Sequence, residues 1–380
     1  MKMWSQQQMN ELMKTKLAYL CGSLSWGGLE MNQLRNAVWM SERGHAVVLL
    51  GVKDSPIMKA AMKAGLKTCE IVRHKKYYDF KSGKVLAKLL EQESISHLIL
   101  RDTRDMSVSV IAKRHCTHPI HLSYFMEMQL GVKKTHLLHT LRYRYVDLWS
   151  CPLNWLADQV RIMTRFTKDK IVVIPSGLDL VKATSASSKI EARTEMKLPI
   201  DKKIFGLAGR FDAQKGQLLL LQALVMTQNP NSAVCLLGEP TIGEGEEYSE
   251  QIAAFIESNH LQDRVFIRPF RSDVSTFFRA VDAFVMASKA ETFGMVTIES
   301  MACGTPIIAS NAGGSPEILE FGKIGTLFSP MNANSLSEAM SSFSSSPDNV
   351  SSDDLVRAAQ KYDHHQVCSA VERALGIVRY

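Results

Sequence analysis

The chain has 380 residues, of which 46% are hydrophobic and 22% are charged, and its formal net charge is +7. This length exceeds what one hydrophobic core serves and predicts two domains, while the composition excludes a disordered or membrane-spanning protein. The seven cysteines stand singly without a Cys-x-x-Cys pair, which argues against a zinc site or a disulfide framework. The N-terminal segment has no apolar core, so we expect no signal peptide and a cytoplasmic protein.

The charge is distributed unevenly along the chain. Residues 1–180 contain 27 Lys and Arg against 15 Asp and Glu, whereas residues 181–380 contain 18 against 23. A basic first half could meet an anionic partner such as a phospholipid surface, or it could be a solvated lysine-rich surface. No RNP-type, zinc-finger or helix-turn-helix pattern accompanies it, so we do not expect a nucleic acid partner.

Short apolar runs alternate with helix-length amphipathic segments in the first half. The strand-like runs are 16–22, 45–52, 97–102, 119–125, 146–151 and 170–179. Strands that alternate with helices are typical of parallel β-α-β units in a doubly wound sheet. The Ser-, Ala- and Lys-rich stretch at 182–195 then predicts a linker.

The order of strand, glycine turn, polar loop and helix begins again at residue 203. Further strand-like runs lie at 203–209, 233–239, 264–270, 282–288 and 305–310. The serine-rich stretch at 341–354 predicts a solvated loop, and 355–378 returns to helix. The pattern predicts two Rossmann-like α/β domains that face a central cleft and bind ligands at the carboxyl ends of their strands.

A glycine turn follows the predicted strand at 282–288 and leads into a helix that ends at Gly304. The first N–H groups of a helix lack internal partners and carry partial positive charge. The backbone amides of Gly294, Met295 and Val296 could therefore hold a phosphate. The alternative is that the glycines only begin and end a helix.

Two glutamates flank this turn, and each suits a hydroxyl group. Glu299 lies one helical turn after Met295, and a carboxylate there can accept two hydrogen bonds from a ribose. Glu291, in the loop before the helix, would reach a different hydroxyl group. A nucleotide-sugar offers phosphates, a ribose and a hexose together. Alternatively, both glutamates are simply solvated.

Two cations and two further glycines stand in comparable strand-to-helix loops. Arg210 and Lys215 could neutralise a diphosphate as a sugar–phosphate bond breaks, although such a pair is more often solvated. Gly27 and Gly28 would let the backbone approach a diphosphate, or would leave room for an acceptor. Neither glycine turn reads G-x-G-x-x-G, which argues against a nicotinamide cofactor.

Together these motifs resemble the retaining glycosyltransferases of family 4, which have the two-domain GT-B fold. They occur in the family's order, as GGLE (27–30), GRFDAQKG (209–216), SKAETFGMVTIESMACGTPII (288–308) and GGSPE (313–317). The resemblance implies cofactor-free and metal-independent transfer, with retention, from a nucleotide-sugar donor to a glycan or lipid-linked acceptor. It also implies an acceptor domain of 1–180 with 363–380, and a donor domain of 181–362.

The resemblance gives the candidate residues their roles. Arg210 and Lys215 would stabilise the departing diphosphate, and Glu291 would contact the donor sugar, which makes these three the catalytic candidates. The base is expected near 267–271, where Pro269 replaces a common family glycine. The candidate donor-binding residues are Gly27, Gly28, Gly294, Met295, Val296, Glu299 and Phe270.

The acceptor side departs from the family pattern. Many relatives carry a His, often His-Asp, at the end of a first-domain strand, and no His-Asp stands in this region. His121 and Glu127 are the candidates for contact with the sugar or acceptor, although a lone strand histidine is more often structural. Arg142 and Arg144 could face an anionic acceptor or form a solvated basic face.

Other assignments remain open at this point. The same fold could serve a sugar-phosphate synthase or a phosphorylase, or a non-catalytic nucleotide-sugar-binding protein. The basic first half also allows peripheral contact with an anionic inner membrane.

Overall fold

The computed structural model describes residues 15–184, 187–240, 246–271, 273–346 and 350–378. The chain divides into two compact units: the first comprises residues 1–177 with 364–380, and the second comprises residues 178–363. The sequence predicted a first domain of residues 1–180 with 363–380 and a second domain of residues 181–362. Among the helices described, none combines the length and the apolar composition that crossing a membrane requires.

A seven-stranded parallel sheet forms the centre of the first unit. Its strands are β1 (Lys16–Cys21), β2 (Ala46–Val52), β3 (Lys67–Ile71), β4 (His97–Leu100), β5 (His121–Phe125), β6 (Leu148–Cys151) and β7 (Ile171–Val173). Their spatial order is β3-β2-β1-β4-β5-β6-β7, so the direction of winding reverses between β1 and β4. The inner strands β1 and β2 are buried along almost their whole length, as expected for a sheet covered on both faces.

Six helices and a 3₁₀ turn connect these strands. They are α1 (Gly28–Glu42), α2 (Pro56–Lys63), α3 (Phe80–Gln92), α4 (Met106–His115), α5 (Leu137–Tyr143), α6 (Asn154–Met163) and the turn Lys168–Lys170.

The second unit repeats the architecture around six parallel strands. They are β8 (Lys203–Ala208), β9 (Ser232–Leu237), β10 (Val265–Arg268), β11 (Ala283–Met286), β12 (Ile307–Ser310) and β13 (Thr326–Phe328). The order β10-β9-β8-β11-β12-β13 reverses between β8 and β11. Ligands of doubly wound sheets bind outside the carboxyl ends of the strands at such a reversal.

Helices and 3₁₀ turns surround this second sheet. In chain order they are α7 (Leu180–Ala183), α8 (Lys189–Glu195), the turn Ala213–Lys215, α9 (Gln217–Met226), α10 (Glu246–Ser258), α11 (Ser275–Ala280), α12 (Met295–Ala302), α13 (Ser315–Ile318), the turn Glu320–Gly322, α14 (Ala333–Ser345), α15 (Ser352–Ala359) and the turn Gln360–Tyr362.

The last helix, α16 (His364–Leu375), belongs to the first unit. Glu372 on this helix accepts from Arg43 Nη2 at 2.6 Å and lies 2.8 Å from His45 Nε2, 329 and 327 residues away in sequence. Because only 7% of the Glu372 side chain is exposed, these contacts fasten the end of the chain beside α1 and β2.

Two segments expected to be irregular contain helices instead. Within the predicted linker, Ser188 and Glu191 form a reciprocal cap that starts α8, and buried Arg193 donates to Asp282 Oδ2 at 2.7 Å. The serine-rich stretch at 341–354 overlaps the end of α14 and the start of α15. The loop prediction is therefore wrong for residues 341–345, because Leu336, Met340 and Phe343 give α14 a buried apolar face despite its serines. It is also wrong for 352–354, which begin α15, whereas residues 347–349 lie outside the described part of the chain.

Candidate functional site

Two loops meet where the winding of the second sheet reverses. One follows β8 and the other follows β11, and these strands are neighbours. The backbone N–H of Lys289 donates to the carbonyl of Gln214 at 2.9 Å, which joins the loops. Lys215 Nζ donates to Glu291 Oε2 at 2.8 Å. The structure therefore brings together two of the predicted catalytic residues from opposite sides of the reversal.

The Lys215–Glu291 pair is partly open to solvent. The Lys215 side chain is 33% exposed and the Glu291 side chain is 19% exposed. Ser288 Oγ also donates to Glu291 Oε2, at 3.3 Å. Ion pairs with this degree of exposure contribute at most about 1 kcal/mol. An incoming anion of higher charge can therefore compete with Glu291 for the ammonium group.

Arg210, the third predicted catalytic residue, combines a fixed backbone with an exposed side chain. Gln217 Nε2 donates to the carbonyl of Arg210 at 2.7 Å, and the N–H of buried Phe211 donates to the carbonyl of Glu239 at 3.1 Å. The Arg210 side chain is 63% exposed, with Nη2 lying 3.9 Å from Asp212 Oδ2. The guanidinium therefore extends into solvent from a rigid loop at the ligand edge.

Gly294 precedes α12 and adopts a left-handed backbone conformation with φ of +80°. Such a conformation favours glycine and turns the chain so that α12 starts directly after the Glu291 loop. Met295 and Val296, in the first turn, are half-buried. Glu299 is half-buried in the following turn. The predicted phosphate-binding amides and the ribose-binding carboxylate thus lie on one short helix beside the Lys215–Glu291 pair.

The GGSPE segment contacts the backbone of Glu291 and holds it in place. Gly314 N–H donates to the carbonyl of Glu291 at 2.8 Å. A Cβ atom on Gly313, whose φ is +62°, would lie 2.2 Å from that carbonyl oxygen. Any residue other than glycine would displace the Glu291 backbone. The sequence therefore places this glycine for close packing at the site.

Phe270 lies two residues beyond β10, the outer strand on this side of the sheet. Its side chain is 67% exposed, and Pro269 separates it from the strand. An exposed aromatic ring at the ligand edge offers a surface on which a nucleobase can stack.

Gly27 and Gly28, in the first unit, stand at the N-terminus of α1. Gly27 has an extended backbone with φ of −152°, and its N–H donates to Glu30 Oε2 at 3.0 Å. A Cβ atom on Gly28 would meet nothing within 4 Å in the described part of the chain. Neither backbone strain nor packing explains these glycines, and open space lies beside the second one.

Glu127 follows β5 at the carboxyl edge of the first sheet and is held from three sides. It forms an ion pair with buried Arg101, accepts from Asn32 Nδ2 at 3.1 Å, and accepts from Ser176 Oγ at 3.2 Å. Arg101 itself follows β4, so the pair lies beside the reversal of this sheet. The carboxylate is held firmly in one position.

His121 lies at the first residue of β5, on the amino edge of the sheet, opposite the edge that holds Glu127. Its ring packs against His97 with centroids 5.1 Å apart, and Nδ1 lies 3.1 Å from Ser123 Oγ. Burial lowers the pKa of His121. The structure therefore does not bring His121 to the ligand edge, and its contacts are those of a packed strand residue.

A histidine–aspartate pair occurs in the first unit at a place the sequence did not indicate. His74 Nε2 lies 3.1 Å from Asp105 Oδ1, and Gly22 N–H donates to Asp105 Oδ2 at 3.0 Å. Burial lowers the pKa of His74, but the neighbouring Asp105 carboxylate outweighs this and the net shift is upward. Asp105 lies five residues after the end of β4, and its position after a strand was the feature of the sequence that could have marked it as a site residue.

Residues 188–362 match the family described as glycosyl transferases group 1. Over 153 residues the chain is 31% identical to the D-inositol 3-phosphate glycosyltransferase of Kineococcus radiotolerans, a match that covers 38% of this chain and 35% of that protein. The corresponding protein of Mycobacterium marinum is 30% identical over 175 residues, covering 46% and 37%. The chain thus spans about a third of the length of these relatives.

Solved structures resemble almost the whole chain. HepE of Anabaena in complex with UDP and glucose gives a TM-score of 0.82 at 19% identity, covering 96% of this chain and 100% of that one. The lipopolysaccharide outer core galactosyltransferase WaaB gives 0.74 at 15% identity, covering 95% and 99%. At these identities the similarity concerns the fold, and it agrees with two Rossmann-like units.

Proposed function

Because the chain is a glycosyltransferase family 4-like protein with the GT-B fold, and residues 188–362 match the group 1 glycosyl transferases, we propose that it transfers a sugar from a nucleotide-sugar donor. The observation that carries this proposal is the Lys215–Glu291 pair across the reversal of the second sheet, at 2.8 Å. A cation beside a carboxylate matches a diphosphate joined to a sugar. The resemblance to HepE, which binds UDP and glucose, supports this donor class.

The leaving group is the diphosphate. As the bond between the anomeric carbon and the phosphate oxygen breaks, negative charge develops on that oxygen. Arg210 and Lys215 would stabilise this charge together with the amides at Met295 and Val296, since preorganised cations and N–H groups act where charge appears. Two protein cations supply the charge that a metal ion provides in other transferases, so we propose a metal-independent reaction without a cofactor.

The remaining donor contacts follow from the same edge. Glu291 accepts from Lys215 and Ser288 on Oε2, which leaves Oε1 for a sugar hydroxyl. Glu299 would accept from the ribose and Phe270 would stack on the base. When the diphosphate draws Lys215 away, Glu291 regains its full capacity to accept from the sugar.

The acceptor would be a glycan or a lipid-linked glycan. Glu127, fixed by Arg101, Asn32 and Ser176, is the residue we propose for contact with a hydroxyl, and the open space beside Gly28 would admit a ligand. Retention at the anomeric carbon is proposed from the family resemblance. We further propose a cytoplasmic role in polysaccharide or lipopolysaccharide synthesis, at the inner face of a membrane.

A thermal-shift screen tests the donor proposal. UDP, GDP, ADP and TDP, their sugar conjugates, and NAD as a negative control are added with and without EDTA. A ligand that binds only the folded state raises Tm. We expect one nucleotide family to stabilise the protein equally in both conditions. Stabilisation by NAD alone, or by nucleotides only when metal is present, would contradict the proposal.

Product analysis separates transfer from the alternatives. With the stabilising nucleotide-sugar, NMR of the product reports the anomeric configuration, and retention is expected. Transfer to simple sugar phosphates or inorganic phosphate would indicate a synthase or a phosphorylase. Nucleotide binding without turnover of any donor, including slow hydrolysis, would indicate a binding protein.

A further inference from the structure

A surface of the first unit exposes several large apolar side chains around a groove. The groove, about 480 Å³ in volume, is formed by the segment before α3, by α4, and by α5 with its flanking residues. Its walls include Tyr77, Tyr78, Phe80, Leu138 and Leu141. All five of these side chains are exposed. We call this surface the groove face.

Helix α5 contributes most clearly to this exposure. Leu137, Leu138 and Leu141 all lie on this seven-residue helix and are exposed, with Leu137 at 62%. The segment that leads into α5 also exposes Met128 and Val132. Burying such side chains is normally favourable, and contiguous exposed apolar patches mark interaction sites.

Basic residues surround these apolar side chains in the sequence. Residues 73–84, 106–115 and 128–145 contain eleven Lys and Arg and one acidic residue, Asp79. The Asp79 carboxylate is occupied locally, since it accepts from the N–H of Ser82 at 3.0 Å and from the N–H of Lys75 at 3.0 Å. These segments therefore carry a net charge of +10, against a net charge of +12 for residues 1–180 as a whole.

The cations and the aromatic rings are packed together at the groove. The Arg142 guanidinium lies 5.3 Å from the ring centroid of Tyr77 and donates to Ser107 Oγ at 3.2 Å. Arg114 lies 5.1 Å from the ring centroid of Tyr145. Burial, followed by the nearby charges of Arg142 and Lys134, lowers the pKa of His139. Positive charge is thus concentrated beside the apolar walls.

We propose that the groove face docks on an anionic lipid bilayer, with its leucine and tyrosine side chains at head-group depth and its Lys and Arg side chains on lipid phosphates. Leu, Tyr and cationic side chains are the combination that lies at membrane interfaces, and each basic residue near anionic lipid contributes about 1 kcal/mol. An uncharged apolar partner would leave the surrounding cations without counter-charges.

This inference rests on the proposed function, because it implies that the acceptor is reached at a lipid surface. It can nevertheless fail separately. Vesicle binding requires no turnover, and nucleotide binding requires no vesicle. Loss of one with the other intact identifies which proposal is wrong.

Sedimentation with vesicles tests the docking. The purified full chain is mixed with neutral phosphatidylcholine vesicles or with vesicles containing phosphatidylglycerol. We expect binding mainly to the anionic vesicles, weakening as salt rises. Lys133 and Arg144 are exposed cations that flank α5 in the sequence. Lys133→Gln with Arg144→Gln should weaken binding about thirtyfold, which corresponds to about 1 kcal/mol for each exposed cation. Lys53→Gln with Lys59→Gln removes the same exposed charge elsewhere in the unit and should cause a smaller change.

A second pair of variants tests the apolar contribution. Leu138→Asn with Leu141→Asn should abolish the binding that persists at high salt, whereas Met62→Asn, an equally accessible site on α2 at 55% exposure, should retain it. Circular dichroism and Tm verify that each variant is folded. Absence of vesicle binding, equal binding to neutral vesicles, or equal effects of groove-face and control variants would overturn the proposal. Full competition by inorganic phosphate without any effect of the leucine variants would identify a simple anion site and would also overturn it.

Discussion

Lys215→Ala should weaken the binding of a nucleoside diphosphate and reduce transfer, while leaving the fold nearly unchanged. In the ligand-free protein Lys215 donates to Glu291 Oε2 at 2.8 Å. Nucleotide binding would exchange this contact for one with the diphosphate. The expected loss is therefore the difference between the two contacts and not the full value of the new one.

The magnitude follows from that exchange. A hydrogen bond to a charged group contributes about 1.5–3 kcal/mol, and the partly exposed ion pair that it replaces contributes at most about 1 kcal/mol. A net loss of about 0.5–2 kcal/mol corresponds to a Kd higher by about two- to thirtyfold. In the transition state the leaving oxygen carries more charge, so kcat should fall by about 10²–10³-fold.

Calorimetry with the nucleoside diphosphate that gives the largest thermal shift measures this change. Lys289→Ala is the matched control, because that exposed lysine lies in the adjoining loop that carries Glu291, and its backbone contact to Gln214 is retained. Glu291→Gln should bind the diphosphate as tightly as the wild type or more tightly, because Lys215 loses a competing partner, yet it should transfer poorly. Wild-type affinity and turnover in Lys215→Ala would refute this assignment of the diphosphate site.

Three further predictions concern the first unit. Gly28→Ala should leave the free energy of unfolding in urea unchanged or raise it by up to about 1 kcal/mol, because the added methyl group would lie in open space. The same substitution should lower the rate of sugar transfer if a ligand occupies that space. Unaltered kinetics would show that Gly28 does not belong to the binding site. His74→Asn should lower the free energy of unfolding most below about pH 6.5, where His74 is charged, and less as the pH rises through the elevated pKa of His74. A difference in urea midpoint between wild type and variant that does not change with pH would contradict the ion pair with Asp105. Glu372→Gln should lower the free energy of unfolding by about 2 kcal/mol, because Arg43 and His45 lose their charged partner. The loss is smaller than for a fully buried ion pair, because Arg43 remains partly accessible to solvent. Burial raises the pKa of Glu372, but the contacts with Arg43 and His45 outweigh burial, and the net shift of the pKa is downward. The stability that Glu372 contributes should therefore be present above the ordinary Glu pKa and should disappear as the pH falls through the lowered pKa of Glu372. Acid titration of the wild type and the variant would show this loss.

Strand prediction succeeded where apolar runs were long and failed where tertiary context decides. Strands such as β1 and β8 are buried from their second residue onward and contain no charged residue after the first, and both were predicted. β3 and β13 were not predicted because most of their residues are partly exposed and neither strand is a long apolar run. The helix α14 was missed because its serines conceal an apolar face that becomes visible only once Phe343 is seen buried beside Phe205.

Site prediction depended on whether a residue follows a strand. Lys215 and Glu291 were identified as separate candidates because each lies in a strand-to-helix loop. Their pairing, across 76 residues, needs the strand order, which places the loops after the first and fourth strands of the unit side by side. His74 was missed because β3, the strand it follows, was not predicted, and because its contact with Asp105 depends on the path of the irregular segment after β3.

The contacts of α16 have a consequence for how the chain is made. The second unit is continuous in sequence and is complete at residue 363, whereas the first unit needs residues 364–380 as well. Val367, Val371 and Leu375 are buried against that unit, so their apolar partners stay uncovered until α16 has been synthesised. Domains generally fold as units in the order of their synthesis. Here the first unit, although most of it is made first, cannot be completed until the whole second unit and then α16 have been synthesised.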